Sequence, residues 1–250
     1  MEHSSGNNNG FGIGALFDRI ASSYDRLNHL LSLNIDRQWR RRAVSEISNT
    51  QHSTPNTILD VAIGTADLTL EILCQGKADH INGLDVSRQM MAIGEQKVAK
   101  AGYADKVTFE YGSALEMPYM DQSFDVVTCA YGVRNFSDLE RGLKEMYRVL
   151  KPEGQVMILE FSYPTNCLIR ASYNLYFTYV LPWVGKVLSH DKTAYNYLNE
   201  SVKAFPYGLA MVQKISEAGF TNIRFKPLSF GISTMYWGIK NETTTNRNRL

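Results

Sequence analysis

The chain has few cysteines and no recognisable arrangement of metal ligands. Its three cysteines, Cys74, Cys129 and Cys167, lack the Cys-x-x-Cys spacing of a redox centre or a zinc site, and any disulfide would leave one of them unpaired. The five histidines show no ligand spacing either. We therefore expect reduced cysteines, no bound metal and a cytoplasmic location.

The chain also lacks an excess of charge, a long apolar run and a recognisable signal sequence. Its 26 basic and 25 acidic side chains give a formal net charge of +1, which offers no field for nucleic acid. No apolar run reaches the roughly 20 residues of a transmembrane helix. One basic cluster, Arg37 with Arg40–Arg42 beside Trp39, predicts either a solvated helix face or a weak contact with anionic lipid head groups.

The chain does have a regular alternation of apolar runs and helical patterns, and it is long enough for one large domain. The predicted strands are 57–63, 80–85, 107–111, 124–130 and 155–161, and the predicted helices are 16–33, 39–47, 67–75, 87–101, 138–150 and 207–218. This alternation indicates an α/β fold with a mostly parallel sheet wound on both faces. Two further apolar runs, 222–228 and 233–240, are joined by a link too short for a parallel crossover. They therefore predict an antiparallel hairpin that closes a seven-stranded sheet.

The polar segments 1–10 and 241–250 are predicted to be disordered, and residues 11–240 to form a single domain. Within this domain, residues 162–205 are rich in aromatic side chains and interrupt the alternation after a strand. Insertions after the carboxyl ends of strands commonly build substrate sites, so we expect an apolar cap over the site. The alternative is a peripheral helical pair that packs against the sheet.

The most informative segment is the turn between the first predicted strand and its helix. Asp60 is followed by the small-residue turn Ala62–Asp67, and the next strand ends at Asp85 and Val86. An acid at the end of the second strand can accept hydrogen bonds from ribose hydroxyls. A dinucleotide needs Gly-x-Gly-x-x-Gly around its pyrophosphate, whereas acids in and before the turn suit the positive charge of S-adenosylmethionine. The predicted cofactor-binding residues here are Asp60, Ala62, Gly64, Thr65, Asp85 and Val86, and the alternative is a turn without a ligand.

Several short motifs, spread from about Leu16 to Lys240, are more specific than this turn. They are Phe17-Asp18-Arg19-Ile20-Ala21, Asp60-Val61-Ala62 with Gly64-Thr65, Gly132-Val133-Arg134-Asn135, Leu150-Lys151-Pro152-Glu153-Gly154, Tyr195-Asn196-Tyr197-Leu198 and Trp237-Gly238-Ile239-Lys240. Together they resemble the quinone-biosynthesis C-methyltransferases, which methylate demethylmenaquinol and, in some organisms, a ubiquinol precursor. The resemblance implies a Rossmann-like class I S-adenosylmethionine-dependent methyltransferase fold with N-terminal helices and an aromatic helical insertion.

The chain departs from the family pattern at several positions near the cofactor. Ala66 stands where the turn usually has Gly, Ile63 is bulkier than usual, Ser113 replaces an acid or amide beside the adenine, and Ala130 replaces a serine. The resemblance still implies an adenine site, which would be formed by Ser113, Ala114 and an apolar slot around Met90 and Met117.

The resemblance implies methyl transfer to a ring carbon of a quinol, which requires a partly ionised hydroxyl on that ring. Arg134 is the candidate for stabilising the phenolate and Asn135 for orienting the same oxygen, while water is the expected proton acceptor. Alternatively, Arg134 pairs structurally with an acid such as Asp25 or Asp138. The expected substrate contacts are Tyr24, His190, Tyr195 and Tyr197, and His190 and Tyr195 are second choices for moving the proton.

Two other functions stay open at this point. One is methylation of a phenol oxygen, a sterol or an amine, and the other is binding of S-adenosylmethionine without catalysis. The expected partners are a prenylated quinol and, through transient contact, the inner face of the cytoplasmic membrane. A homodimer is left open, and no nucleic acid is expected.

Overall fold

The computed structural model describes residues 11–32, 34–48, 56–176 and 200–241. The helices are α1 (Phe11–Leu31), α2 (Ile35–Ser45), α3 (Asp67–Cys74), α4 (Arg88–Lys100), α5 (Leu139–Val149), α6 (Cys167–Leu175) and α7 (Leu209–Glu217). The strands are β1 (Thr57–Val61), β2 (His80–Asp85), β3 (Val107–Tyr111), β4 (Phe124–Ala130), β5 (Leu150–Phe161), β6 (Phe220–Leu228) and β7 (Ser233–Lys240). The segments predicted to be disordered, apart from Asn241, and residues 177–199 of the predicted cap lie outside the described residues, so those assignments stay predictions.

The strands form one seven-stranded sheet in the order β3-β2-β1-β4-β5-β7-β6. The strands from β3 to β5 pair in parallel, whereas β7 runs antiparallel to both β5 and β6. This confirms the predicted parallel sheet and its closing hairpin, which is linked by the short turn Ser229–Gly231. The strand order reverses between β1 and β4, and open α/β sheets bind ligands at such a reversal.

Helices cover both faces of the sheet, and alternate residues of the central strands point to opposite faces. Ile58 and Val126 pack in a cluster with residues of α2, α3 and α4. Leu59 and Val127 pack in a second cluster with residues of α5 and α7. These four side chains are fully buried, which explains why the central strands are apolar along their whole length.

Some boundaries differ from the predictions. Strand β1 ends at Val61 rather than at residue 63, because Ala62 has a φ of 56° and leaves the extended conformation. Strand β5 begins at Leu150 rather than at residue 155 and includes Glu153, which has a φ of 59° and lies where the pairing with β4 shifts register. Helices α1 and α2 begin earlier than predicted; for α1, glycines in the first turn weaken the periodic pattern.

The basic cluster of α2 is divided between the core and the surface. Trp39 is buried and its Nε1 donates to Ser229 Oγ over 2.9 Å, and Arg40 is buried and paired with an acid of its own helix. The prediction of one lipid-facing surface that includes Trp39 and Arg40 is therefore wrong for these two residues, while Arg37 and Arg41–Arg42 are exposed. Within the described ranges, each helix falls short of the length or the apolar character needed to cross a membrane.

Candidate cofactor and substrate site

A cleft opens at the carboxyl edge of the sheet, beside the reversal between β1 and β4. Its open volume is about 710 Å³, and the apolar side chains of Phe17, Leu84 and Met90 form part of its wall. The predicted site residues that line it are Tyr24, Ala62, Gly64, Asp85, Val86, Ser113, Ala114 and Asn135. Residues that the sequence placed on α1 and at the ends of four strands therefore meet in one place.

The turn after β1 brings its backbone to the wall of this cleft. Ala62, Gly64 and Ala66 have φ values of 56°, 55° and 64°. This left-handed conformation costs an alanine roughly 1–2 kcal/mol. Gly64 N donates to Asp85 Oδ2 over 2.8 Å, so the turn is fastened to the end of β2. Ala66, which replaces the glycine of the family pattern, is therefore accommodated in the same turn at an energetic cost.

Asp85 is a buried carboxylate at the end of β2 that lines the cleft. Its Oδ2 accepts from Gly64 N and its Oδ1 accepts from Ser87 N, each over 2.8 Å. Burial raises the pKa of Asp85 to about 6, and backbone hydrogen bonds oppose that rise. Since each carboxylate oxygen offers two lone pairs, the group has acceptor capacity beyond these two bonds. Asp85 is therefore placed to accept hydrogen bonds from the hydroxyls of a ligand.

The adenine side of the predicted site is partly as expected. Ser113 and Ala114 line the cleft, and Ser113 Oγ accepts from Leu115 N over 3.1 Å. Of the two methionines of the expected slot, Met90 lines the cleft. Met117 is buried in the core, in the cluster that contains α5 and α7, and does not line the cleft.

Asp60 is enclosed at the end of β1 and does not line this cleft. Its Oδ2 accepts from Thr69 Oγ1 over 2.6 Å and its Oδ1 accepts from Thr128 Oγ1 over 2.9 Å. Burial raises the pKa of Asp60 to about 6, and the two hydroxyl donors oppose that rise. Asp60 borders a second cavity that is open to solvent and shares Tyr24 and Gly64 with the first cleft.

Thr65 also borders the second cavity and is tied to α1 and α4. Thr65 Oγ1 donates to Asp25 Oδ1 over 2.6 Å, and Lys97 Nζ lies 2.8 Å from Asp25 Oδ2. Lys97 Nζ also contacts Asp67 Oδ1. The positive charge that Asp67 was expected to receive from the cofactor is therefore supplied by the protein itself.

A second cation completes this cluster. Arg40 Nη2 lies 2.8 Å from Asp36 Oδ2 and 3.0 Å from Asp67 Oδ2, and His29 approaches the same two acids. Potential ligand atoms of His29, Asp36 and Asp67 lie within 4.8 Å of one another. Because the Arg40 guanidinium contacts both carboxylates, the cluster is a set of salt bridges that joins α1, α2 and α3.

The side chain of Arg134 is 4% exposed and paired with an acid that the sequence analysis did not single out. Arg134 Nη1 lies 2.8 Å from Glu160 Oε1, and Arg134 N donates to Glu160 Oε2 over 3.2 Å. Arg134 Nη1 also donates to Tyr131 O. The alternative interpretation, a structural ion pair, is thus observed with Glu160 in place of Asp25 or Asp138. Within the described residues, Arg134 lines neither cavity, whereas its neighbour Asn135 lines the cleft.

Helix α1 contributes site residues that the sequence analysis missed. A Cβ on Gly14 would lie 2.6 Å from Val86 O, so only glycine permits this close packing of α1 against the end of β2. Asp18 Oδ1 accepts from Ser87 Oγ over 2.6 Å and from Gln89 N over 3.0 Å, which joins α1 to the start of α4. A glycine inside an amphipathic helix would have been a signal, but the predicted helix began at residue 16, after Gly14.

Tyr24 is the predicted substrate residue that the structure describes. It lines both cavities, and burial raises its pKa, which the charge of Arg134 opposes. Its hydroxyl therefore stays protonated near neutral pH and can donate a hydrogen bond. His190, Tyr195 and Tyr197 lie outside the described residues, and their roles stay predictions.

These residues fit S-adenosylmethionine better than a dinucleotide. Asp85 suits the ribose hydroxyls, and Leu84 and Met90 offer an apolar slot for adenine. The turn has Ala62, Gly64 and Ala66 in place of the Gly-x-Gly-x-x-Gly pattern that a pyrophosphate needs. The sheet order, the closing hairpin and this site together define a class I S-adenosylmethionine-dependent methyltransferase.

The model of the ubiE/COQ5 methyltransferase family matches residues 4–240, and the chain belongs to that family. A demethylmenaquinone methyltransferase from Bacteroides fragilis is 42% identical over 225 residues, which cover 90% of this chain and 91% of that protein. A ubiquinone/menaquinone biosynthesis C-methyltransferase from Geotalea daltonii is 44% identical over 226 residues, which cover 90% of this chain and 94% of that protein. The solved structure of a methyltransferase from Thermotoga maritima has the same fold, with a TM-score of 0.64 and 17% sequence identity. The match covers 92% of this chain and 100% of that chain. The predicted fold class, enzyme class and cofactor are thereby confirmed.

Proposed function

We propose that the protein transfers a methyl group from S-adenosylmethionine to a ring carbon of demethylmenaquinol and so forms menaquinol. The observation that carries this proposal is a cleft at the carboxyl edge of the sheet with Asp85 at the end of β2, in a chain 42% identical to a protein named demethylmenaquinone methyltransferase. The family membership supports a quinone-type substrate. Asp85 at the wall of the cleft supports binding of a cofactor that contains a ribose, beside the quinol.

The redox state of the substrate follows from the chemistry. When bound, S-adenosylmethionine supplies an electrophilic methyl group. A quinone ring is too electron-poor to attack it, whereas a quinol becomes nucleophilic at carbon when one hydroxyl is ionised or partly ionised. The protein must therefore hold the ring carbon in line, exclude water and stabilise the phenolate.

Several residues are proposed to hold the cofactor. Asp85 accepts from the ribose hydroxyls, while the Gly64–Thr65 backbone approaches the amino-acid part. Val86, Ser113 and Ala114 flank the adenine, and Ala62 gives room for close approach. Asp60 acts from behind the turn, because it borders the second cavity rather than the cleft.

The substrate side is proposed to begin at Tyr24 and Asn135. Both residues line the cleft, and Asn135 Nδ2 donates to Tyr131 O over 3.3 Å, which supports a fixed orientation for its amide. Arg134 would favour the phenolate through its charge from behind the wall, and it stays protonated in this role. His190, Tyr195 and Tyr197 are proposed to contact the substrate from the cap. A water molecule at the ionising hydroxyl, away from the methyl group, is proposed to accept its proton, and the hydrogen of the methylated ring carbon then returns to that oxygen as the ring regains its aromaticity.

The prenyl tail of the substrate resides in a membrane, so we propose transient contact of this protein with the inner face of the cytoplasmic membrane. The exposed side chains of Arg37, Arg41 and Arg42 support attraction to anionic lipids. Phe230, which is 79% exposed at the tip of the β6–β7 hairpin, supports shallow apolar contact. A homodimer stays a prediction of the sequence.

The decisive experiment is incubation with isotopically labelled S-adenosylmethionine and chemically reduced demethylmenaquinone, followed by mass spectrometry of the lipid extract. We expect one labelled methyl group on the naphthoquinol ring and no product from the oxidised quinone under strictly non-reducing conditions. Methylation of the oxidised quinone would refute the mechanism. Methylation of a prenylated benzoquinol alone would change the substrate, and cofactor binding without turnover on any quinol would remove the catalytic function.

A further inference from the structure

Glu160 is a fully buried carboxylate at the carboxyl end of β5. Its Oε1 accepts from Arg134 Nη1 and from Phe161 N, each over 2.8 Å, and its Oε2 accepts from Arg134 N over 3.2 Å. One carboxylate thus binds both the side chain and the backbone of Arg134. It also joins the end of β5 to the short helical turn Val133–Asn135 that follows β4.

Stability alone is a weak reason for this pair. The Arg134 side chain is 4% exposed and the Glu160 side chain is 0% exposed, so both charges have lost nearly all of their hydration. Replacing a buried ion pair by apolar residues of similar volume is often neutral or stabilising. Burial raises the pKa of Glu160, and the guanidinium opposes that rise. Because this ion pair costs hydration and gives little net stability, we look for its role in the position that it gives to Arg134.

The pair lies directly behind the wall of the proposed site. The segment that Glu160 fastens carries Tyr131, which lines both cavities, and Asn135, which lines the cleft. The charges of Arg134 and Glu160 also reach Tyr24 and act on its hydroxyl in opposite directions. The geometry of the wall and the electrostatic field at Tyr24 therefore both depend on this carboxylate.

We propose that Glu160 is a positioning residue of the methyl-transfer site that acts through Arg134. It holds the segment 131–135 against the end of β5 and offsets the charge of Arg134 behind the point where the two cavities meet. The catalytic part of this inference rests on the proposed function. The coupling between Glu160, Arg134 and Tyr24 is a property of the cofactor-free protein, so it is independent of the proposed function.

The alternative is that Glu160 contributes only to folding, and the chain contains a matched control for it. Asp125 is also fully buried and accepts from Thr57 N over 2.8 Å and from Lys151 Nζ over 3.0 Å. It lies near the start of β4, at the opposite edge of the sheet from the cleft. Asp125→Asn should therefore cost stability without touching the site.

The experiment compares Glu160→Gln, Asp125→Asn, Arg134→Met and the double variant Glu160→Gln/Arg134→Met. We expect kcat on reduced demethylmenaquinone to fall about 10- to 100-fold in Glu160→Gln, while the Kd for S-adenosylhomocysteine changes less than threefold. Asp125→Asn should keep kcat within threefold. In the Arg134→Met background, Glu160→Gln should lower kcat by a smaller factor than in the wild type, because the contact with the guanidinium is already lost and only the contacts with backbone N–H groups remain.

Two readouts do not need turnover. The double variant should melt at a higher temperature than Arg134→Met alone, since it no longer buries an uncompensated carboxylate. The pKa of Tyr24, followed by NMR of labelled tyrosine and assigned with Tyr24→Phe, should fall in Glu160→Gln and stay unchanged in Asp125→Asn. Three results would each overturn the inference. They are equal losses of kcat in Glu160→Gln and Asp125→Asn, a loss of kcat in the double variant equal to the product of the two single losses, and an unchanged pKa of Tyr24 in Glu160→Gln. A wild-type protein that makes no product would refute the proposed function instead, while these two readouts still test the coupling.

Discussion

Replacing Asp85 by asparagine tests the cofactor site, because the change keeps the size of the side chain, removes its charge and turns one of its two acceptor atoms into a donor that faces Gly64 N or Ser87 N. Burial displaces the pKa of Asp85 from 3.8 to about 6. At 1.36 kcal/mol per unit, this displacement corresponds to roughly 3 kcal/mol of strain in the ionised, ligand-free site. Ribose hydroxyls that donate to the carboxylate relieve part of that strain. We therefore expect Asp85→Asn to weaken binding of S-adenosylhomocysteine by about 1–3 kcal/mol, or roughly 5- to 150-fold.

The pH dependence gives a second, independent signature. A protonated Asp85 accepts hydrogen bonds poorly, so affinity in the wild type should fall as the pH drops below about 6. In Asp85→Asn this decline should largely disappear. The raised pKa also means that the folded, cofactor-free protein binds this proton more tightly than the unfolded chain does. The favourable contribution of Asp85 to stability is therefore present at low pH and is lost as the pH rises from about 4 to about 6.

Isothermal titration calorimetry between pH 5 and pH 8 measures both effects. Asp125→Asn is the control, because it neutralises another buried carboxylate at the opposite edge of the sheet and should leave affinity and pH dependence unchanged. If Asp85→Asn binds within twofold of the wild type and keeps the same pH dependence, Asp85 is not part of the cofactor site.

Three further predictions concern other parts of the site and the fold. Gly14→Ala should weaken S-adenosylhomocysteine binding about tenfold, because its Cβ would lie 2.6 Å from Val86 O, whereas Gly12→Ala, whose Cβ meets nothing within 4 Å, should bind normally in the same titration. Lys240→Met should lower the free energy of unfolding by about 2–4 kcal/mol, since three backbone carbonyls lose a charged donor, and denaturant melts should show this with kcat unchanged. Arg134→Ala should lower single-turnover rates about 10²- to 10³-fold, while the affinity for the cofactor stays within a few-fold of the wild type. A higher pH should restore part of the rate, and Arg134→Lys should recover little. An unchanged rate in Arg134→Ala would contradict a role in stabilising the phenolate.

The sheet could be predicted from the sequence because its signals are local. The central strands are apolar runs bounded by turns, and the link between β6 and β7 is too short for anything but a hairpin. Asp85 could be placed for the same reason, since a single residue at the end of a strand has its position fixed by the sheet. These features depend on the order of residues along the chain rather than on contacts between distant segments.

The remaining parts of the site depend on distant contacts and could not be read from the sequence. Glu160 meets Arg134 across 26 residues of chain, and although Arg134 lies in a recognisable motif, nothing in the segment around Glu160 marks it as the partner. Lys97 and Arg40 reach Asp67 from two different helices, so the charge balance of the turn is decided by tertiary packing. Periodicity alone also failed to assign Trp39 to the core rather than to the surface, because an indole on an amphipathic helix suits either place.

The motifs that identify the family therefore have different structural roles. In Trp237–Lys240, the Lys240 ammonium donates to the carbonyls of Tyr147 and Arg148 in the last turn of α5 and of Leu150 at the start of β5, so this motif fastens β7 to the end of a helix. In Gly132–Asn135, by contrast, Asn135 lines the cleft and Arg134 is held behind its wall. Specificity of a motif for a family thus does not by itself make its residues catalytic. The place of each side chain relative to the cleft decides that, which is why Arg134 requires a kinetic test and Lys240 only a measurement of stability.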